Sequence, residues 1–367
     1  MRAIRYSNIW GPGYLRDRAR RIAKPAGPVE RVWVTLADHY EPLWAGADLA
    51  SAKRRVRLWR SAWPSIAKRC NTDSAGRPPQ YTFFFPEEEY DPALIEPLAE
   101  MTRAGIADVE VHLHHDGEGR QNFIERIARF CDVLHGEHGL LRKHNGKLTF
   151  GFIHGNWALA NSRPDGRWCG LNDEIALLRD LGCYADFTMP SGSSPTQARM
   201  VNTIYWCDSH PDRPKSYDAG VPVAIGGPVA GDLLMIPGPL GIRWRDRLTP
   251  RLETGELAAN DAATSYRVQR WLDLSPRIAG DIFVKLYTHG AQERNSAVLL
   301  NGALESAFNL LVAEARRRSA QLYFVSARQM YVAIDAIRQR LDPIAAIEAS
   351  EPSAKSTAPV AVRAATS

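Results

Sequence analysis

The stretch that most restricts what this chain can become is Val109–Asp116, Val-Glu-Val-His-Leu-His-His-Asp. Apolar residues alternate with polar ones over its first half, which is the pattern of a β-strand. The strand ends in three histidines within four positions, followed by an aspartate and by Gly117 and Gly119. Successive strand side chains point to opposite faces, so Glu110, His112 and His114 share one face. The imidazoles of His112 and His114 therefore project together at the strand's carboxyl end, with His115 and Asp116 where the chain turns away. Neutral imidazole is the commonest protein ligand for zinc and similar ions, and three ligands drawn from several strand ends leave a position open for water. A single strand histidine is more often a satisfied core or surface residue. This density points to a metal or catalytic centre.

The flanking sequence supplies further strands of the same kind. Apolar runs at 31–37, 80–85, 148–153, 184–189 and 282–287 alternate with helical spacing over roughly 50–70, 92–104, 120–135, 173–181, 262–274, 303–320 and 327–341. A strand or hairpin is expected around 221–225 and 233–236, a short extended piece at 322–325, and Asn172 as the N-cap of the helix that follows it. Alternating strands and helices imply an α/β fold with a mainly parallel sheet. Four strands end in polar, chemically capable residues, the arrangement of (β/α) barrels and open α/β sheets. No GxGxxG follows the first strand and no GxxxxGK[ST] occurs, which favours a barrel over a nucleotide-binding sheet.

Three regions are expected. Residues 1–30 read as an irregular basic extension broken by Gly11-Pro12-Gly13 and by Pro25 and Pro28. Residues 31–341 form the barrel, and 342–367 an Ala/Ser/Thr/Pro-rich disordered tail. The formal charge of +5 over 367 residues is too small for a nucleic-acid footprint. The basic runs at 16–24, 53–60 and 316–318 read as solvated helix faces. Five widely spaced cysteines without a CxxC argue for reduced, buried thiols in a cytoplasmic protein. No apolar h-region opens the chain, and the weakly apolar Gly220–Ile242 is interrupted by four prolines and Asp232, so no integral membrane segment is expected there.

The strand ends taken together are Asp38 and His39; His112, His114, His115 and Asp116; His154 and Asn156; Asp186; and His289. In order and spacing they resemble the polysaccharide deacetylase superfamily, distorted (β/α)7 barrels similar to carbohydrate esterase family 4 and grouped with glycoside hydrolases. Thr35-Leu36-Ala37-Asp38 stands where that family has Thr-Phe-Asp-Asp. His112-Leu113-His114-His115-Asp116 stands where it has His-Ser-x-x-His, and Leu286-Tyr287-Thr288-His289 is one residue longer than its Leu-x-His. The likeness spans roughly 31–341. Two departures are plain: Ala37 replaces the first aspartate, the family's general base, and the second metal histidine falls on Asp116.

The resemblance implies a metal-dependent hydrolase that removes an acetyl or other acyl group from a sugar or polysaccharide precursor. A divalent metal, zinc by its ligands, would be held by Asp38, His112 and His114, with Asp116 and His39 in reserve. His39 would stand in as base or ligand, His289 would be the general acid, and Asp186 would orient a histidine or bind substrate. His154, Asn156 and Trp157 occupy the place of the family's Arg-x-Pro-Tyr and would bind carbohydrate, with Trp157 and Trp168 available to stack on sugar faces. Of Glu87–Glu89, a mostly solvated run, one could face the site. Two alternatives share the barrel. A glycosidase would use Glu110 with Asp38 or Asp186, and a non-catalytic carbohydrate-binding or assembly protein would have lost its base at Ala37.

Overall fold

Residues 31–39, apolar on both faces apart from Arg31, Thr35 and the last two, form the strand on which the sheet is centred. A computed structural model describes residues 4–24, 27–244 and 249–351. Among them, eight strands run mutually parallel: β1 (Arg31–His39), β2 (Tyr81–Pro86), β3 (Ala107–Leu113), β4 (Lys147–His154), β5 (Cys183–Asp186), β6 (Leu233–Met235), β7 (Asp281–Thr288) and β8 (Gln321–Phe324). Their order is β7-β1-β2-β3-β4-β5-β6. On one side β1 pairs with β7 along nearly its whole length; β8 pairs with its first half and β2 with its end, Ala37–His39. Short antiparallel pieces extend the sheet, at Arg142–His144 on β4, Tyr205–Cys207 on β6 and Arg277–Ile278 on β7. The protein is thus a mixed α/β molecule with a mostly parallel sheet, as the alternation of patterns predicts.

Both faces of the sheet are covered, which is why its strands read as continuous apolar runs. Val32, Val34 and Leu36 pack with Trp59, Trp63 and Phe308 in one cluster. Trp33 and Ala37 pack on the other face with Phe84, Phe187, Met330 and Ile334. The helices are α1 (Ser7–Ala23), α2 (Leu49–Arg69), α3 (Pro92–Arg103), α4 (Arg120–Gly136), α5 (Glu174–Leu181), α6 (Ser265–Leu274), α7 (Glu293–Val298), α8 (Leu304–Arg317), α9 (Ala327–Arg338) and α10 (Pro343–Ser350). Several start on side-chain caps that satisfy the free N–H groups of a first turn. Asp48 accepts from Ser51 N, Asp91 from Ala93 N, and Ser326 with Gln329 makes a capping box at α9. Residues 293–317 are apolar enough to cross a membrane by composition, but Leu304, Phe308, Leu311 and Val312 belong to the core.

Three expectations are corrected. The N-terminal extension is not irregular: Ser7–Ala23 is helical, and buried Trp10 clusters with Val201 and Leu240. Arg21 ties this helix to the carbonyls of Asp273, Leu274 and Ser275 at the end of α6. The tail does not begin at 342, because Asp342 caps α10 and Pro343 and Ile347 are buried; residues 352–367 lie outside the described residues. The N-cap of α5 is Asp173 rather than Asn172, whose carboxamide oxygen accepts from Asn161 instead. The five cysteines are free and buried, as expected.

Candidate metal centre

Asp38 and His39 are neighbours on β1, so their side chains leave opposite faces. Asp38 is buried with its carboxylate accepting from Gly290 N (2.7 Å) and Tyr81 Oη (2.8 Å). Burial pushes its carboxyl up to about 8, against the pull of those two donors. It is not among the groups that gather at the strand ends. His39 is: its ring centroid lies 5.4 Å from His112 and 4.9 Å from His289. Glu41, two residues beyond β1, returns a carboxylate to this group, with Oε1 3.4 Å from His112 Nε2 and 3.5 Å from His114 Nε2. His39, Glu41 and His112 each offer a donor atom, and these atoms lie within 4.8 Å of one another.

The tautomers follow from the partners. His112 Nδ1 faces the carbonyl of Ile153 at 2.8 Å. A carbonyl only accepts, so Nδ1 carries the proton and Nε2 a free lone pair. His114 Nδ1 donates to Glu88 at 2.6 Å, which turns its Nε2 toward Glu41 in the same way. A metal-binding histidine held through its other nitrogen by a carbonyl or carboxylate is the usual supporting arrangement. The buried Nε2 atoms of His39 and His112 have no hydrogen-bond partner. Burial, followed by the neighbouring imidazoles, holds His39 well below its ordinary value. Burial pushes the Glu41 carboxyl up, but the adjoining His112, with His289 and His114 around it, outweighs that and leaves it below the usual range. Buried imidazole nitrogens without a partner, gathered round one carboxylate, fit a divalent ion. Two histidines and a glutamate suit zinc and equally ferrous iron.

His289 joins the centre, its Nδ1 4.0 Å from Glu256. Beside it opens a cleft of about 520 Å³ whose lining includes Asn156, Trp157, Trp168, Ser191, Glu256 and Tyr287. Trp157 and Tyr287 link the two, with ring centroids 6.2 and 5.9 Å from that of His39. Arg5 and Arg163 add positive charge to the wall, and the Arg163 guanidinium lies 4.2 Å from the Trp168 ring centre. A larger hollow of about 1190 Å³ runs along α4 among Glu125, Arg126 and Arg129; it touches the centre's surroundings only through Glu88.

Other residues expected at the site lie elsewhere. Asp116 is exposed and its carboxylate accepts from Trp168 N at 2.6 Å, so it fastens the loop. Asp186 is buried, accepting from Thr188 Oγ1 (2.7 Å) and N (3.0 Å), and burial pushes it up to about 7. His154 is fully buried and away from the cleft wall that Asn156 and Trp157 form. Glu110 is occupied by Tyr184 Oη and Gly151 N. Of the glutamate run, Glu88 faces the centre, Glu87 pairs with Arg126 and Arg129, and Glu89 accepts from Leu43 N. Glu41 is not marked by the strand pattern, because it lies two residues past the end of β1. Compared with models of known families and with curated protein sequences, the chain matches none.

Proposed function

We propose that the protein is a metal-dependent hydrolase that removes an acyl group from a sugar or sugar polymer. The observation that carries this reading is the His39–Glu41–His112 group, with free lone pairs, opening on a cleft walled by Trp157, Tyr287 and Asn156. Aromatic faces with amide and hydroxyl groups beside them suit a ligand that is apolar on its ring face and polar at its rim. The sheet is read as the wall of a distorted barrel with this centre at its carboxyl rim. In support, Lys285 on β7 and Gly238 beyond β6 both donate to the carbonyl of Met189 beyond β5, drawing the sheet's two sides together. In this reading the ligand set keeps the one-carboxylate, two-imidazole character implied by the deacetylase resemblance, with Glu41 and His39 in place of Asp38 and His114.

A divalent ion held here would supply an acidified water and polarise the acyl carbonyl. His39, Glu41 and His112 would hold it, and Glu88 keeps the His114 ring turned with Nε2 toward Glu41. His289 is the proton carrier. Its Nδ1 is turned toward Glu256, leaving Nε2 to take a proton from the attacking water and return it to the departing nitrogen or oxygen. One residue then serves as base and acid, which answers the replacement of the family's base by Ala37. Trp157 and Tyr287 position the sugar and exclude water from the far side.

The test is elemental analysis of wild type beside His112→Ala, followed by acetate release from acetylated sugar oligomers. Expected are an ion lost in the variant, and release abolished by chelator and by Glu41→Gln. Release that survives both would overturn the mechanism; bound ion without release would make the chain a carbohydrate-binding protein.

A further inference from the structure

Behind the strand ends lies a second group of metal-type donors, and it differs from the first in being closed. His115 follows β3, His154 ends β4, Cys169 sits in the loop after it, and Glu174 opens α5. All four are buried, and their donor atoms lie within 4.8 Å of one another. Consecutive histidines just past the end of β3 are thus divided between the groups, His114 to the open one and His115 to the closed one.

We infer that His115, His154, Cys169 and Glu174 form a structural zinc-type site that holds the wall of the cleft. Glu174 Oε1 lies 3.0 Å from His115 Nε2 and 3.4 Å from His154 Nε2, and its Oε2 lies 3.3 Å from Cys169 Sγ. Ligands bound tetrahedrally at about 2.0–2.3 Å stand roughly 3.3–3.6 Å from one another; the His154 and Cys169 separations from the Glu174 oxygens fall in that range and the His115 one lies just under it. His154 Nδ1 donates to the Gly155 carbonyl at 2.6 Å, which leaves Nε2 with a lone pair aimed into the group and no partner. His115 turns Nε2 to Glu174 and keeps a buried Nδ1 without a partner. The Cys169 sulfur accepts from the backbone N–H groups of Asn161 (3.2 Å) and Leu171 (3.4 Å), the environment a metal thiolate is given. Four protein donors and no opening to solvent describe a closed site, with no position for a substrate.

Its task is visible in the loop it spans. Between His154 and Glu174 the chain makes only short turns, and Asn156, Trp157, Ala160, Asn161 and Trp168 all take left-handed backbone angles. Non-glycine residues persist in that region only where their surroundings hold them. The same loop supplies Asn156, Trp157 and Trp168 to the cleft. Joining Cys169 to His154, His115 and Glu174 fixes this loop at its middle and both ends. The inference does not depend on the hydrolase reading.

The full chain would be loaded with cobalt(II) alone, as wild type, Cys169→Ser and His112→Ala. Two ions per wild-type chain are expected, with a thiolate-to-cobalt charge-transfer band in the near ultraviolet. Among the described residues Cys169 is the one cysteine grouped with such donors, so Cys169→Ser should lose the band and one ion. His112→Ala should keep the band and lose the other ion. A wild-type cobalt protein with no thiolate band would overturn the inference even if Cys169→Ser fails to fold, and so would a folded Cys169→Ser that binds as many ions as wild type. One ion with the band would uphold this site and count against the open one; one ion without it would do the reverse.

Discussion

Gly155 carries no side chain because the ring of His114 occupies the place where one would be. A Cβ there would lie 2.2 Å from His114 Cδ2, 2.5 Å from Cγ and 2.8 Å from the Leu113 carbonyl. Carbon atoms come to rest at about 3.5 Å, so in Gly155→Ala the ring must withdraw by roughly 1.3 Å or the backbone must move. Either shift breaks the 2.6 Å bond from His114 Nδ1 to Glu88 and carries Nε2 away from Glu41. Loss of a supporting interaction of this kind typically lowers metal affinity 10–100-fold, about 1.4–2.7 kcal/mol. The crowding itself should cost about 1–3 kcal/mol of stability. Affinity would be read by competition with a chromophoric chelator and stability by urea unfolding, with His114→Ala as the control that removes the imidazole without the clash. Both variants should weaken the open site while leaving the cobalt thiolate band unchanged. Wild-type affinity in both would show that His114 takes no part in holding the ion.

Three further outcomes are expected. Asp38→Ala leaves Gly290 N–H and the Tyr81 hydroxyl buried without their acceptor, a loss of about 2–6 kcal/mol by urea unfolding at two donors of about 1–3 kcal/mol each; a change under 1 kcal/mol would show that water replaces the carboxylate. Trp10→Ala should cost about 3–5 kcal/mol and release α1 to proteolysis, since Trp10 is buried against Val201 and Leu240; a protease-resistant helix in the variant would contradict that docking. Asp186 is raised from 3.8 to about 7 by burial, so between those values the folded chain keeps a proton that the unfolded chain has lost. Its contribution is then full in acid and disappears as pH rises through about 4 to 7, by at most about 4 kcal/mol at 1.36 kcal/mol per unit. Lys285, lowered to about 7 by burial, acts in the opposite sense above that pH. Asp186→Asn should therefore lack the fall in unfolding free energy that wild type shows from pH 5 to 7; parallel profiles would count against the assignment.

Strand periodicity located the open centre but could not say which side of β1 faced it. His112 and His114 share a face as alternation requires, and both turn Nε2 toward Glu41. The choice between Asp38 and His39 was not legible, because both sides of a parallel strand are buried and the two residues are equally hidden. Glu41 and Glu88 lie just past strand ends, where alternation stops and the turn decides direction. Glu174, Cys169 and His154 are brought together by a loop of left-handed residues that leaves no periodic trace. The N-terminal helix failed for a different reason. Gly11-Pro12-Gly13 reads as a break, yet α1 runs through it, because buried Trp10 and the ties from Arg21 and Asp17 outweigh local propensity. A Cβ at Gly13 would lie 2.1 Å from the Arg199 carbonyl. That glycine lets the helix approach the loop before the Tyr205–Cys207 strand, so the residue that signals a stop in sequence is, in the folded chain, what allows the helix to dock.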